Sequence, residues 1–267
     1  MDSAASAYGL VYANSLFQPL RGYRADTGDV EWSAPVCSSV RASPTVAGHV
    51  LYMACFDGTL YALDPESGAV LWAARGRCCV YDQAPVVDGD RIFQMRTDHT
   101  LTAYDASTGT TMWTESAFSV GTLAAAHGTL FYGSYPDVVA LDEATGAVRW
   151  RTPVFFGAVQ GSPAVADGLV FVETSELVAL DAGTGKVVWT APAASQWGPS
   201  VANGVVYASS LDGEWDAYDE RDGSLLWSVT VGGGCGGTCT HSIPVVADGT
   251  LYLAGPDQYL RAYRLGP

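Results

Sequence analysis

The sequence predicts an all-β protein, a seven-bladed β-propeller built from four-stranded antiparallel blades. Three observations support this fold class. Six tryptophans recur at intervals of 40, 41, 37, 39 and 38 residues, and each follows a glycine by four positions. Each copy also contains four short strand-like runs separated by turn residues. The tryptophans are Trp32, Trp72, Trp113, Trp150, Trp189 and Trp227.

The second copy shows the four strands of a blade. Residues 43–46 and 50–53 predict the first two strands, with a turn at Gly48. Asp57-Gly58 is a hairpin signal, and residues 60–63 predict the third strand. The fourth strand is expected to end near Trp72, whose ring is expected to lie over a turn of an adjacent blade. Burying an indole there contributes about 2–3 kcal/mol.

The count of seven rests on the aromatic residue of the second strand. It recurs as Tyr12, Tyr52, Phe93, Tyr132, Phe171, Tyr207 and Tyr252. The last copy, residues 260–264, is followed by no tryptophan, so the seventh blade has three strands or takes its fourth from a flanking segment. Because the repeat runs through the chain without a linker, residues 1–267 are predicted to form one propeller domain.

Composition excludes some classes of partner. The net charge is -15 and Lys186 is the only lysine, which argues against nucleic acid and against anionic membranes. No apolar run reaches the roughly 18 residues of a transmembrane helix. Six cysteines suit an oxidising compartment, so we expect an extracytoplasmic protein.

The repeat resembles a known family. The string Ala-x-Asp-x-x-x-Gly-x-x-x-Trp, complete in residues 179–189, is similar to the tryptophan-docking repeat of the pyrroloquinoline quinone (PQQ) propeller superfamily. That superfamily includes quinoprotein alcohol dehydrogenases, BamB-type assembly lipoproteins that bind no cofactor, and extracytoplasmic sensor domains of receptor kinases. The resemblance therefore implies a fold but leaves several functions open.

One local feature is similar to the dehydrogenases. Cys78-Cys79 precedes the first strand of blade 3, where those enzymes carry a disulfide between adjacent cysteines over the quinone. The enzymes have eight blades, however, and the loop expected to supply a metal-binding glutamate reads Gln160-Gly-Ser-Pro163 here. We therefore expect no cofactor and no metal, with PQQ plus calcium as the alternative.

All six cysteines fall in connections that the propeller places on one face. They are Cys37, Cys55, Cys78, Cys79, Cys235 and Cys239. Six cysteines allow 15 pairings. Cys235–Cys239 is the easiest local closure. A Cys78–Cys79 bond is strained, because adjacent Cα atoms lie about 3.8 Å apart and ordinary disulfides span about 4.4–6.8 Å. The alternatives link Cys37 or Cys55 to one of that pair, or leave the thiols for a redox or metal site.

Polar residues on the same face predict a ligand pocket. Arginine forks suit carboxylate or phosphate, although pairing with Asp82 or Asp98 would also account for them. The arginines around blades 2 and 3 are Arg41, Arg75, Arg77 and Arg96. Residues entering the first strands are expected to crowd the propeller axis, as a pocket or as partners of loop backbone groups. They are Arg41, Asp82, Gln83, Gln160, Trp197 and His241. Substituting Arg41 or Arg77 with alanine is expected to weaken binding of an anion.

Three functions remain open from the sequence. The first is an extracytoplasmic binding or sensor domain that recognises a small anionic molecule or a protein through its cysteine-rich face. The second is a PQQ-dependent or other redox enzyme. The third is an assembly scaffold that uses the exposed edge of blade 7. No catalytic residue is assigned, since neither a Gly-x-Ser-x-Gly nor a His-Glu-x-x-His motif occurs.

Overall fold

The computed structural model describes ten segments of the chain. They are residues 4–14, 18–37, 42–76, 83–117, 122–154, 161–192, 198–209, 214–231, 244–254 and 259–264. These contain 27 β-strands and no helix. The strands form seven antiparallel sheets, six of four strands and one of three, which confirms the seven-bladed propeller with a three-stranded last blade. The sheets are numbered here as blades 1 to 7.

The described residues divide into two compact units. The first unit contains blades 1 to 3 and residues 143–146. Blade 1 comprises β1 Ala5–Ala7, β2 Leu10–Ala13, β3 Leu20–Arg24 and β4 Val30–Ala34. Blade 2 comprises β5 Thr45–Ala47, β6 Val50–Ala54, β7 Thr59–Leu63 and β8 Val70–Arg75. Blade 3 comprises β9 Val86–Asp88, β10 Arg91–Met95, β11 Thr100–Asp105 and β12 Thr111–Ser116.

The second unit contains blades 4 to 7. Blade 4 comprises β13 Ala124–Ala126, β14 Thr129–Ser134, β15 Asp137–Asp142 and β16 Val148–Pro153. Blade 5 comprises β17 Ala164–Ala166, β18 Leu169–Glu173, β19 Leu177–Asp181 and β20 Val187–Ala191. Blade 6 comprises β21 Ser200–Ala202, β22 Val205–Ser209, β23 Glu214–Asp219 and β24 Leu225–Thr230. Blade 7 comprises β25 Val245–Ala247, β26 Thr250–Ala254 and β27 Leu260–Arg264. The prediction of one domain over residues 1–267 stays a prediction.

The core lies between facing sheets within each unit. The second strands are buried over consecutive residues, as in Leu51–Ala54 of β6, because both faces of a middle strand contact neighbouring sheets. In the first unit, Tyr12 and Leu51 share one apolar cluster with Trp32. In the second unit, Phe171 and Val206 share another. This packing explains why apolar residues do not alternate with polar ones in these strands.

The first strands begin later than the sequence indicates. The interval 43–46 predicts a strand that the structure places at Thr45–Ala47. Pro44 has no backbone N–H to give to the ladder, so pairing begins after it. The fourth strands in turn extend beyond the tryptophan, as β8 does to Arg75.

The tryptophans fasten successive sheets, as predicted. The Trp32 indole N–H donates to the Pro65 carbonyl at 2.9 Å, and a β-carbon on Gly68 would lie 2.7 Å from Trp32 Cδ2. Only glycine fits under the ring, and its φ of +70° also favours glycine. The same indole-to-carbonyl bond recurs at Trp72, Trp113, Trp150 and Trp189 with lengths of 2.9 to 3.1 Å.

The aspartate of the repeat builds the turn on which each ring rests. Asp64 Oδ1 accepts the N–H groups of Glu66 and Ser67, at 3.1 and 2.8 Å, while Gly68 N–H donates to the Asp64 carbonyl. In the first copy Arg24 replaces this aspartate and pairs with Asp26 instead. The backbone bond to the turn glycine persists there, so the aspartate supports the turn but the hairpin forms without it.

Candidate functional site

One face of the third strand of blade 3 is polar. Alternate residues of a strand point to the same side, so Thr100, Thr102 and Tyr104 of β11 share one face. A cavity of about 500 Å³ lies over this face. Its lining consists of Arg75, Gly76, Arg96, Asp98, Thr100, Thr102, Tyr104, Thr111 and Thr114. We call this cavity the arginine groove.

Arg96 lies at the base of the groove and is only 6% exposed. Its Nη1 donates to the carbonyl oxygen of Gly58 at 3.0 Å, and its Nη2 donates to the Tyr104 hydroxyl. The guanidinium carbon also lies 6.0 Å from the centre of the Tyr104 ring. A buried guanidinium needs such acceptors, because its removal from water is otherwise costly. Arg96 therefore ties blade 3 to the hairpin of blade 2.

Gly76 makes this arrangement possible. A β-carbon at Gly76 would overlap the Arg96 guanidinium, so the bare glycine backbone leaves the space that the guanidinium fills. The Gly76 N–H donates to the same Gly58 carbonyl at 3.0 Å. One carbonyl thus receives a main-chain donor and a charged side-chain donor.

A disulfide holds the other end of that hairpin. Cys37 is bonded to Cys55, with Cα atoms 5.3 Å apart. Cys55 in turn donates its N–H to Thr59 and accepts the Gly58 N–H, both at 2.9 Å. This pairing confirms that the two cysteines share a face, but the expectation that either binds Cys78 or Cys79 is wrong. The connection before blade 2 and the hairpin within it meet at one edge of the sheet, which brings Cys37 and Cys55 together.

The groove combines hydroxyl groups with a cation, Arg75, that pairs with no carboxylate among the described residues. Arg75 is exposed and forms no ion pair within the described part of the chain. Asp98 Oδ1 instead accepts the Thr100 hydroxyl at 2.6 Å and the Thr100 N–H at 3.2 Å. Arg75 and Asp98 thus form no ion pair with each other, and the alternative that the other arginines pair with Asp82 or Asp98 stays a prediction. Guanidinium and hydroxyl donors facing one cavity can bind the oxygens of a carboxylate or phosphate.

Most residues of the predicted axial pocket lie outside the described segments. These are Arg41, Arg77, Asp82, Gln160, Trp197 and His241, together with Cys78, Cys79, Cys235 and Cys239. Their roles stay predictions. Gln83 is described and half-buried, and its carbonyl accepts the Gln94 side-chain amide at 3.3 Å. This contact uses the backbone of Gln83 and not its side chain, so the predicted role of the Gln83 side chain stays a prediction.

The groove contains features that the sequence analysis missed. The alternation of threonines in Thr100-Leu-Thr102 is the sequence sign of this polar strand face. The contact between Arg96 and Gly58 crosses 38 residues and has no sequence signal. Gly76 gives a weak sequence signal, since it directly follows strand β8 and is not part of the repeat pattern.

Among the residues of the described segments, no three histidine, cysteine or acidic side chains come together in a way that could hold a metal ion. No helix among them has the length and apolar character needed to cross a membrane.

Comparison with known proteins identifies related propellers. A family model described as outer membrane protein assembly factor BamB matches residues 2–93, 57–126, 97–176 and 174–265. BamB of Yersinia pestis is 30% identical over 56% of this chain and 42% of its own length. The chain thus spans about two fifths of that relative.

Solved structures show the same architecture. The crystal structure of BamB from Moraxella catarrhalis superposes with a TM-score of 0.76 and 19% identity, over 98% of this chain and 94% of that one. The computationally designed Ika8 protein superposes with a TM-score of 0.81 and 14% identity, over 98% and 83% respectively. At these identities the likeness establishes the fold alone.

Proposed function

Because the chain belongs to the BamB family of PQQ-like repeat proteins, we propose that it is a partner-binding scaffold that acts in protein assembly outside the cytoplasm. The observation that carries this proposal is the family match, which runs from residue 2 to residue 265. The assembly role comes from the description of the matching family. The family match therefore favours the scaffold hypothesis over the sensor hypothesis.

The Cys37–Cys55 disulfide supports the location. Disulfides persist in secreted and envelope proteins and are reduced in most cytosols. Labelling intact cells and lysates with a thiol reagent tests this point. Both cysteines should resist labelling until a reductant is added, whereas free thiols in freshly lysed cells would contradict an extracytoplasmic location.

The scaffold role is tested in the native host. We expect chemical crosslinking of intact cells to join the protein to one or a few partners in stoichiometric yield. Deleting its gene should lower the folded amounts of particular envelope proteins, and re-expression should restore them. A protein that stays uncrosslinked, in a host whose envelope proteins are unchanged by the deletion, would refute the proposal.

A second candidate function is recognition of an anion in the arginine groove. The observation that favours it is the exposed Arg75 beside a row of threonine hydroxyls. Calorimetry with citrate and with inorganic phosphate tests it. Arg75→Gln should abolish binding, while Arg24→Gln, which removes an exposed guanidinium on blade 1, should leave it unchanged. Equal affinity for both variants would dismiss the groove.

Cys78 and Cys79, which favour the redox alternative, and Gln160, which argues against a metal site, all lie outside the described segments. The expectation that no cofactor binds therefore stays a prediction. Titration of the protein with PQQ and Ca²⁺, followed by absorbance, tests it directly. Saturable binding at micromolar PQQ would favour the enzyme over the scaffold.

A further inference from the structure

A second cavity lies in the other unit, where three turns of blades 5 and 6 meet. Turns that follow the first and third strands of a blade lie at the same edge of the antiparallel sheet. The cavity has a volume of about 460 Å³. It is lined by Asp167, Leu169, Asn203, Gly204, Val205, Asp219, Glu220, Arg221 and Leu226. We call it the acidic cavity.

One of its three carboxylates is already neutralised. Arg221 donates to Asp219 through its side chain at 2.8 Å and through its backbone N–H at 2.9 Å. These contacts lower the pKa of Asp219 to about 2. Asp167 is exposed and forms no ion pair with any described residue. The uncompensated negative charge of the cavity therefore belongs to Asp167 and Glu220.

Glu220 is held firmly in place yet lacks a partner for its charge. Its backbone N–H donates to the Gly204 carbonyl at 3.0 Å, and its own carbonyl accepts the Trp189 indole N–H at 2.9 Å. The residue is only 3% exposed, and its Oε1 accepts no hydrogen bond from the described residues. Such an acceptor in a native protein calls for an explanation, and an absent ligand is one.

Burial also disfavours the charged form of this carboxyl. Desolvation raises the pKa of Glu220, and the nearby charges of Asp167 and Asp219 raise it further. A cation beside Glu220 would offset all three effects. The electrostatic requirement of the cavity is therefore a positive charge.

The remaining wall is apolar. Leu169 and Val205 are half-buried, and Leu226 is 51% exposed beside them. Hydrocarbon stems of lysine and arginine cover such surface while their charged ends reach polar groups. The chain carries a net charge of -15, which attracts basic partners over a distance. A cation on an aliphatic stem fits this lining better than a bare ion does.

We propose that the acidic cavity receives a lysine or arginine side chain of a partner protein, with its charged end near Asp167 and Glu220 and its stem against Leu226. This proposal rests on the scaffold function and specifies the chemistry of one anchor on the partner. The aspartate contributes charge at the mouth, and the glutamate contributes charge at the base.

Short peptides test this site even while the partner is unidentified. The probes are acetyl-Gly-Lys-Gly-amide and acetyl-Gly-Arg-Gly-amide, with a norleucine peptide as the uncharged isostere and CaCl₂ as a metal probe. Binding is followed by NMR shifts of the backbone amides of Asn203, Gly204 and Leu226. We expect saturable shifts with the two charged peptides and none with norleucine.

Matched variants identify the residues responsible. Glu220→Gln and Asp167→Asn should each weaken the peptide affinity about tenfold, as expected when one close charge pair is lost. Glu143→Gln is the control for Glu220, since both follow the repeat aspartate and accept a tryptophan indole through their carbonyls. Asp248→Asn is the control for Asp167, because both occupy the turn after a first strand with positive φ. Neither control should change the affinity.

Three results would overturn the proposal. They are shifts of equal size with norleucine, shifts of the same amides with CaCl₂ in place of the peptides, and no saturable shift up to the solubility of the probes. Failure of the scaffold function is a separate outcome. If crosslinked partners and the envelope defect are observed while the peptides do not bind, the scaffold function is supported and the proposed site for a basic side chain is refuted.

Discussion

Arg96 in the first unit and Glu220 in the second are both buried, yet their hydrogen-bonding capacity is satisfied to very different degrees. Arg96 is 6% exposed and gives hydrogen bonds to a carbonyl and a hydroxyl. Glu220 is 3% exposed, and its Oε1 receives none from the described residues. Burial alone therefore does not mark a functional charge. A buried charge whose hydrogen-bonding groups have partners stabilises the fold. A buried charge without such partners destabilises the fold and indicates a ligand site.

The disulfide supports the satisfied charge, and its removal should have the largest effect. Changing both Cys37 and Cys55 to serine opens a loop with a sequence separation of 18. The free energy of unfolding should fall by about 3 kcal/mol, mainly because the unfolded chain gains freedom. Urea denaturation measures this under non-reducing conditions. A loss below about 1 kcal/mol would contradict a stabilising role for this bond.

Removing the satisfied charge itself should cost somewhat less. Arg96→Met keeps the stem but leaves the Tyr104 hydroxyl without its donor and the Gly58 carbonyl with one donor. We expect a loss of about 2 kcal/mol of unfolding free energy, typical of charged hydrogen bonds. Arg75→Met is the control and should change stability by less than about 0.5 kcal/mol. Equal effects for the two would show that the Arg96 contacts stabilise nothing.

The close contact between the Gly76 backbone and the Arg96 guanidinium provides a second test of how much the Arg96 hydrogen bonds stabilise the fold. Gly76→Ala should cost about 1.5 kcal/mol, because the new methyl group displaces the guanidinium from its acceptors. In the Arg96→Met background the same change should be neutral or stabilising, since the obstructing group is gone. Urea denaturation of the four proteins in this double-mutant cycle measures the coupling. Additive effects would mean that Gly76 matters for another reason.

The unsatisfied charge should behave in the opposite way. Glu220→Gln removes a buried charge that lacks a donor, so the unfolding free energy should rise by about 1 kcal/mol at neutral pH. Glu66→Gln, an exposed change, should have almost no effect. Thermal unfolding without ligand measures both. A lower melting temperature for Glu220→Gln would reveal a bond that stabilises this carboxylate.

The smallest expected effect is that of pH: the stability difference between Glu220→Gln and the wild type should disappear at acidic pH. The pKa of Glu220 is raised from its ordinary 4.5 by burial, so the folded state binds the proton more tightly than the unfolded state does. The free-energy cost of burying the charged Glu220 carboxylate is fully present above its folded-state pKa. This cost disappears as the pH falls to the pKa of the same group in the unfolded state. Asp219, with a pKa of about 2, stays charged across this window together with its partner Arg221. Unfolding of wild type and Glu220→Gln between neutral pH and pH 4 should therefore converge, and a constant gap would contradict this assignment.

The repeat made the fold predictable, because its signals are local and recur. The tryptophan, the turn glycine and the aspartate each act within one turn or on the next, so their spacing predicted the sheets and the docking of the rings. The start of β5 shifted because Pro44 delays pairing, and β7 begins at Thr59, one residue before the predicted start.

The sites were less predictable, because they depend on single departures from the repeat. Cys55 and Arg96 occupy the same position in blades 2 and 3, yet one forms a disulfide and the other reaches Gly58. Glu220 stands where blades 2 and 3 have Pro65 and Ala106, and blade 4 has Glu143 at the same position. A charged residue there was the available sign, and only its surroundings show that its charge lacks a partner.

The indole-to-carbonyl contact also bears on how such a chain can change in length. Five junctions use the same donor, the same acceptor and the same bare glycine. A duplicated stretch of about forty residues would bring its own tryptophan donor and its own acceptor turn with the glycine. Deletion of such a stretch would leave a tryptophan and a turn that can still form the same contact. Copy number can then drift during evolution while the chemistry of each seam stays constant.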